Sequence, residues 1–310
     1  MKDTTPLLEV KDMSVSFRMY EKGLSQYDLK VISDLSIRVH KGELLAIVGS
    51  SGSGKSLLAH GIMGVLPDNA TLTGSIKYQG EELTQEKQKQ LRGKKIALVP
   101  QSIAYLDPLM KMGRQVRASD NSSKAIKRQK DSFKRYDLCE RSEKLYPFQL
   151  SGGMARRALV STADQQDVDL IIADEPTPGL DLDIAMKTLR YLREFADAGK
   201  AVILITHDID LAFQVADQIA VFYAGTTVEV APIEDFHSGV DALRHPYTKA
   251  LFNALPQNGF HPIEGFQPYS KELPEGCLFG PRCQWVDEKC KGKIPISQIR
   301  GGMVRCIHAT

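Results

Sequence analysis

The stretch Ile47-Val48-Gly49-Ser50-Ser51-Gly52-Ser53-Gly54-Lys55-Ser56 constrains this chain more than any other. An apolar run, Leu44 to Val48, leads into it, and Leu57-Leu58-Ala59 opens a helical pattern behind it. That is the strand–loop–helix setting of a phosphate-binding loop. Gly49, Gly52 and Gly54 permit backbone angles closed to other residues, so successive N–H groups can turn inward on one anion. The helix that follows aims its positive dipole end at the same point. Lys55 is expected to reach the β- and γ-phosphates and the Ser56 hydroxyl to hold Mg²⁺. The competing account is a flexible Gly/Ser turn, which has no need of a lysine and a serine in that order.

Composition matters here mainly for what it excludes. A net charge of +2 over 310 residues makes no case for a nucleic-acid surface. No apolar run approaches the ~20 residues that cross a bilayer, and Met1-Lys2-Asp3-Thr4-Thr5-Pro6 lacks the form of an export signal. The expected location is therefore the cytosol. Cys139 stands alone, whereas Cys277, Cys283, Cys290 and Cys306 crowd the C-terminal stretch. In a reducing compartment clustered thiols point to metal ligation before disulfides.

Leu7 to Phe17 and Val31 to Val39 alternate loosely and read as antiparallel strands with one wet face. A polar loop is expected between them, carrying Tyr20 and Tyr27, either of which could stack on an adenine. Leu57 to Leu66 reads as a helix stopped by Pro67-Asp68-Asn69. Thr73 to Tyr78 and Ile96 to Pro100 look like strands, the second ending at Gln101. Ser119 to Lys144 is polar, basic and helix-prone, the pattern of a solvated helical face. Leu150-Ser151-Gly152-Gly153-Met154 is a second small-residue loop feeding a helix, a form shared with ordinary caps. Leu170 to Ala173 runs into Asp174-Glu175, and Ala201 to Thr206 runs into His207. Strands alternating with helices predict a mainly parallel sheet, with Lys55, Gln101, Asp174, Glu175 and His207 at its carboxyl edge.

Hydrolysis of ATP needs a phosphate cradle, a metal, an oriented water and charge stabilisation at the γ-phosphate. Asp174 would bind Mg²⁺ and Glu175 would polarise the attacking water. His207 would contact the γ-phosphate and hold water and Glu175 in line, with Gln101 near metal and phosphate. Each residue has a plain alternative as a solvated or capping side chain; their order after a phosphate loop makes the set coherent.

Together, Gly49 to Ser56, Gln101, Leu150 to Met154, Leu170 to Glu175, Gly179-Leu180-Asp181 and His207 resemble the ATPase subunits of ABC transporters, from about Leu7 to Leu255. The resemblance implies an α/β phosphate-loop ABC ATPase fold: a mainly parallel sheet, an antiparallel β subdomain and a helical subdomain over about 102–160. It also implies a head-to-tail dimer in which Ser151, Gly152 and Gly153 complete the ATP site of the opposite subunit, with Asp181 at the seam. Two positions depart from the family pattern. Met154 replaces the commoner Gln, and Pro178-Gly179 stands where a small polar pair is usual.

His245-Pro246-Tyr247-Thr248-Lys249-Ala250-Leu251 and Gly276 to Cys283 resemble the Cys-rich C-terminal extension of the peptide/nickel/opine importers, placed here at 256–310 after an ATPase domain at 1–255. By that resemblance the chain would power import of peptides or chelated nickel. It would work peripherally on the inner membrane face with two integral membrane permease subunits, a second ATPase subunit (identical or not) and an extracytoplasmic substrate-binding protein. The four tail cysteines, spaced C-x5-C-x6-C-x15-C, suit a [4Fe–4S] cluster or a zinc ion, the alternative being thiols without a metal. The alternative from another class is a soluble ABC ATPase of DNA repair or translation, which would normally bring a second cassette or long insertions.

Overall fold

The computed structural model describes residues 5–21, 25–50, 52–164 and 167–310. Its strands are β1 (Leu8–Tyr20), β2 (Gln26–Val39), β3 (Leu44–Gly49), β4 (Ala70–Tyr78), β5 (Glu81–Glu82), β6 (Ile96–Val99), β7 (Leu170–Asp174), β8 (Ala201–Ile205), β9 (Gln218–Tyr223), β10 (Thr226–Pro232), β11 (Ser297–Ile299) and β12 (Gly302–Val304). The α-helices are α1 (Lys55–Met63), α2 (Gln85–Leu91), α3 (Met112–Val116), α4 (Ser123–Arg135), α5 (Gly152–Asp164), α6 (Leu182–Asp197), α7 (Ile209–Phe213), α8 (Ile233–His237) and α9 (Pro246–Asn253). The chain divides into two compact units: Met1–His40, Leu45–Leu83 and His207–Thr310 form the first, Lys41–Leu44 and Thr84–Thr206 the second.

In the first unit β1 pairs with β2 and with β4, both antiparallel, giving the order β2-β1-β4-β5. Leu8, Val10, Met13 and Val15 are buried while Glu9, Lys11 and Asp12 are not, so alternation decides which face is wet. The hairpin is longer than the sequence suggests. Tyr20 ends β1 and Tyr27 lies in β2 opposite Met19, so neither belongs to the expected loop. Strand β3 is buried throughout and runs parallel to β9, whose other neighbour β10 is antiparallel. Helix α1 stops at Met63, three residues before the expected end, because Gly64 adopts the left-handed conformation (φ 64°) that closes a helix.

The C-terminal stretch belongs to this same unit. Its hairpin β11–β12 joins β10 antiparallel, and Phe279, Ile294 and Val304 are buried. A buried ion network fastens the join. Glu229 of β10 accepts the backbone N–H groups of Arg244 (3.0 Å) and His245 (2.7 Å) and pairs with the Arg244 guanidinium at 3.1 Å. The guanidinium also pairs with Asp235 at 2.7 Å and donates to the carbonyls of Ile299 and Arg300. Removing one member would leave an uncompensated buried charge, which costs about 3–5 kcal/mol. The His245-Pro246-Tyr247 motif is a helix start: the His245 Nδ1 accepts the Tyr247 N–H at 2.9 Å, and Pro246 occupies the first turn of α9, where no N–H is needed. Full burial pushes the His245 pKa down to about 3, so the ring caps as the neutral imidazole.

In the second unit β6, β7 and β8 are parallel, with Val99 opposite Ala173 and Asp174 opposite Ile205. Helices α5 and α6 contribute Ala158, Leu159, Leu189, Leu192 and Phe195 to its core. The basic stretch after Ser119 becomes α4, capped by Ser122 and anchored through Phe133, with its lysines outward. Among the described residues, no helix is long and apolar enough to cross a membrane.

Candidate functional site

In the first unit the loop between β3 and α1 is shaped by its glycines. A Cβ on Gly49 would stand 2.4 Å from the Phe222 carbonyl oxygen of the neighbouring strand, so only glycine fits. Gly52 (φ 77°) and Gly54 (φ 87°) hold left-handed angles, and Gly54 caps α1 with no side chain, leaving the first N–H groups of the helix facing the loop. Lys55 is 6% exposed and folds its ammonium back onto the carbonyls of Gly49 and Ser50, each at 2.9 Å. The Ser53 hydroxyl is buried without a hydrogen-bond partner among the described residues. A sequestered ammonium, helix N–H groups and an orphan hydroxyl around one turn form an anion cradle. Ser56, in the first turn of α1, is half-buried. Ser51 lies outside the described residues. His207 of this unit is exposed and sits just ahead of Asp208, which caps α7 by accepting the Leu211 N–H at 3.0 Å.

In the second unit the parallel register of β6 and β7 brings Gln101 and Glu175 together, each two residues beyond the paired Val99 and Ala173. The Gln101 side-chain amide donates to the Glu175 carboxylate at 3.0 Å. Glu175 takes a left-handed backbone angle (φ 46°), uncommon away from glycine, and its N–H is tied to the Ile205 carbonyl at 2.8 Å. The carboxylate thus leaves the strand end at a fixed angle. Asp174 beside it is 4% exposed, whereas Gln101 is open to solvent.

Arg156 is a member of this constellation that sequence reasoning missed. Its guanidinium donates to the carbonyl oxygens of Gln101 and Glu175, joining the two loop ends. Burial lowers its pKa, and the Glu175 charge opposes that shift. The available signal was position: Arg156 lies one turn into the helix that opens at Ser151-Gly152-Gly153.

At that opening the Ser151 hydroxyl accepts the Met154 N–H at 3.3 Å. A Cβ on Gly152 would meet nothing within 4 Å, and one on Gly153 only Leu180 at 3.6 Å. Ser151 and Gly152 are exposed. Asp181 caps α6 through the Ile184 N–H at 3.0 Å.

Tyr27 and the C-terminal stretch meet in the first unit. The Lys271 ammonium lies 4.2 Å from the centre of the Tyr27 ring, and the Ser50 hydroxyl donates to the Gln267 side-chain oxygen. Tyr247, packed between Tyr223 and Phe279, is driven up to about 12 by burial.

Of the four tail cysteines, Cys290 is buried and the others are half-buried, all as free thiols. The Cys277 N–H donates to the Cys290 carbonyl at 2.8 Å, and Cys306 Sγ accepts the His308 N–H at 3.3 Å. Burial, reinforced by the neighbouring thiols, raises Cys277 and Cys283 and takes Cys306 to about 11. Asp287, Cys290 and His308 also bring ligand atoms within 4.8 Å of one another.

Residues 32–178 match the ABC transporter family, and residues 228–290 match the oligopeptide/dipeptide transporter C-terminal region. The chain is 32% identical over 323 aligned residues to the probable D,D-dipeptide transport ATP-binding protein DdpD of Escherichia coli, covering 98% of this chain and 96% of that protein. It is 36% identical to the oligopeptide transport ATP-binding protein OppD of Lactococcus lactis subsp. cremoris, covering 93% and 89%. The ADP- and phosphate-bound dimeric structure of the ATP-binding cassette MJ0796 superposes with a TM-score of 0.65 at 25% identity, over 73% of this chain and 98% of that one.

Proposed function

Because the chain belongs to the ATP-binding subunits of ABC transporters, with the C-terminal region of the oligopeptide/dipeptide branch, we propose that it hydrolyses ATP to power peptide import through separate membrane subunits. The relatives above are named for peptides, which favours peptides over chelated nickel as cargo. The matched tail argues against a soluble ATPase of DNA repair or translation.

In this reading Gly49 to Ser56 hold the triphosphate, with Lys55 turning from the loop carbonyls to the β- and γ-phosphates. Tyr27 stacks on the base. The Ser56 hydroxyl, the Asp174 carboxylate and the Gln101 side-chain oxygen are hard oxygen donors that would suit Mg²⁺. Bound Mg²⁺ supplies charge neutralisation on the phosphate oxygens. Glu175 accepts the proton of the attacking water, and His207 steadies water and γ-phosphate. Ser151, Gly152 and Gly153 serve a second subunit's nucleotide, as expected of a family in which the MJ0796 cassette is dimeric. Cys277, Cys283, Cys290 and Cys306 offer four thiolates to one metal centre. Absorption of anaerobically purified protein, read against its zinc content, distinguishes a [4Fe–4S] cluster from zinc there.

The observation that carries catalysis, beyond binding, is the Glu175 carboxylate fixed by its left-handed backbone and by Gln101. Glu175→Gln keeps that amide contact within reach but removes the base. ATP affinity should stay within a fewfold while kcat falls by about 10²–10⁴. Single-turnover hydrolysis at the wild-type rate in the variant would remove Glu175 from this role.

A further inference from the structure

The C-terminal extension reaches the nucleotide site at two points. Gln267 accepts the Ser50 hydroxyl of the phosphate loop, and four residues on, Lys271 lies over the Tyr27 ring at 4.2 Å and beside Glu21 at 3.8 Å. Four residues span at most about 14 Å of extended chain. The segment therefore runs from the phosphate loop to the Tyr27 ring.

Its hold is light. Phe266 within it is 94% exposed and Tyr269 64%, so burial does not fasten it. The nearest firm anchor is Arg282, which donates to the carbonyls of Ile263 (3.2 Å) and Glu264 (2.9 Å) just ahead of it. A strand of chain fixed at one end and clasped at the other by surface contacts can be lifted by a competing ligand.

We propose that Lys271 is an affinity-determining residue of the nucleotide site: its ammonium covers the Tyr27 face on which adenine stacks, so ATP binds by displacing it, while Gln267 keeps the segment registered on the phosphate loop. A cation over an aromatic face and a base stacked on that face use the same π surface, and one excludes the other. The inference rests on Tyr27 being the base-stacking ring. It gives the extension a part in nucleotide binding through its own side chains.

The test compares ATP with inorganic tripolyphosphate, which fills the loop and carries no base. Dissociation constants are measured on the full chain. Lys271→Ala should bind ATP roughly two- to fivefold more tightly, the loss of one exposed cation–π contact, and bind tripolyphosphate unchanged. Lys271→Arg, which keeps a cation on the ring, should match wild type. In a Tyr27→Ala background Lys271→Ala should have no effect on ATP, the signature of a coupled pair. Unchanged or weaker ATP binding by Lys271→Ala, an equal gain for tripolyphosphate, or an Arg variant as tight as Ala would each overturn it. A failure confined to Lys271 leaves Lys55→Ala still deficient for both ligands; failure of the nucleotide site itself leaves Lys55→Ala unimpaired.

Discussion

Two small-residue loops in this molecule feed helices, and they are built to different ends. Ahead of α1, Gly52 and Gly54 are left-handed, Gly49 is pressed against the Phe222 carbonyl, and Lys55 is enclosed with its ammonium on the loop. At the start of α5, Gly152 and Gly153 hold ordinary backbone angles, nothing crowds Gly152, and Ser151 just before them is exposed. The first loop needs glycine for its backbone and carries its own counter-charge, so it can wrap an anion alone. The second needs glycine for the space it leaves outside. It leaves the start of α5 open to the outside.

The largest effect that can break this distinction comes from Lys55→Ala. If the first loop is self-sufficient, removing its one enclosed cation should weaken ATP binding to the isolated subunit by at least about 30-fold, as expected for truncating a buried charged partner worth ~2 kcal/mol or more. Equilibrium titration with a fluorescent ATP analogue reads this directly. Affinity within twofold of wild type would mean that the cradle works without its lysine, and the contrast with the second loop would fail.

A smaller effect sharpens the other side. Gly153→Val points a branched side chain outward from α5, where a Cβ has only Leu180 at 3.6 Å. The isolated subunit should keep its ATP affinity and its stability, since valine is a slightly better helix former than glycine, by a few tenths of a kcal/mol. ATP-dependent self-association and steady-state turnover should fall by about tenfold or more, because a docked phosphate has no room for the added methyls. Sedimentation with Mg-ATP in the Glu175→Gln background separates the two readouts. Undiminished association would show that the α5 opening faces no partner.

The contrast also explains how much was legible in the chain itself. The first loop could be read because each residue carries its own requirement: glycines where the backbone turns left-handed, then lysine and serine at a helix start. That Gln101 and Glu175 would be neighbours was legible because apolar runs stop just before them, and a parallel sheet presents such stops at one edge. Register then aligned Gln101 with Glu175. What stayed hidden is nonlocal or conformational. The bond between Ser50 and Gln267 spans 217 residues, and nothing in either neighbourhood announces it. The left-handed angle of Glu175 has no glycine to mark it. Alternation in β2 continues through Tyr27 with polar neighbours, which reads as loop until the pairing with β1 is seen. Glu229 and Arg244 each look like surface charges, and only the packing of β10 against the tail hairpin makes them a buried pair.

A third helix start supplies the smallest and most local test. Gly179-Leu180-Asp181 precedes α6, and the resemblance to the family places Asp181 at a subunit seam. The structure gives it work within its own chain: the carboxylate accepts the Ile184 N–H at 3.0 Å, with Asp183 adding a second negative charge in the first turn. The three helix starts therefore form a series, with no side-chain cap at α1, a hydroxyl at α5 and a carboxylate at α6. A capping carboxylate neutralises the helix dipole and repels phosphate, so α6 is closed to the use made of the other two. Asp181→Ala should lower stability by about 1 kcal/mol, and Asp181→Asn, which caps equally well without the charge, should restore it. Urea unfolding of the nucleotide-free chain checks both. If the Ala variant unfolds at the wild-type midpoint, the cap contributes nothing, and the aspartate is held in place by the seam alone. If Asn restores stability yet turnover stays reduced, the charge matters to the dimer and the cap to the fold, two roles that one side chain fills at different levels of assembly.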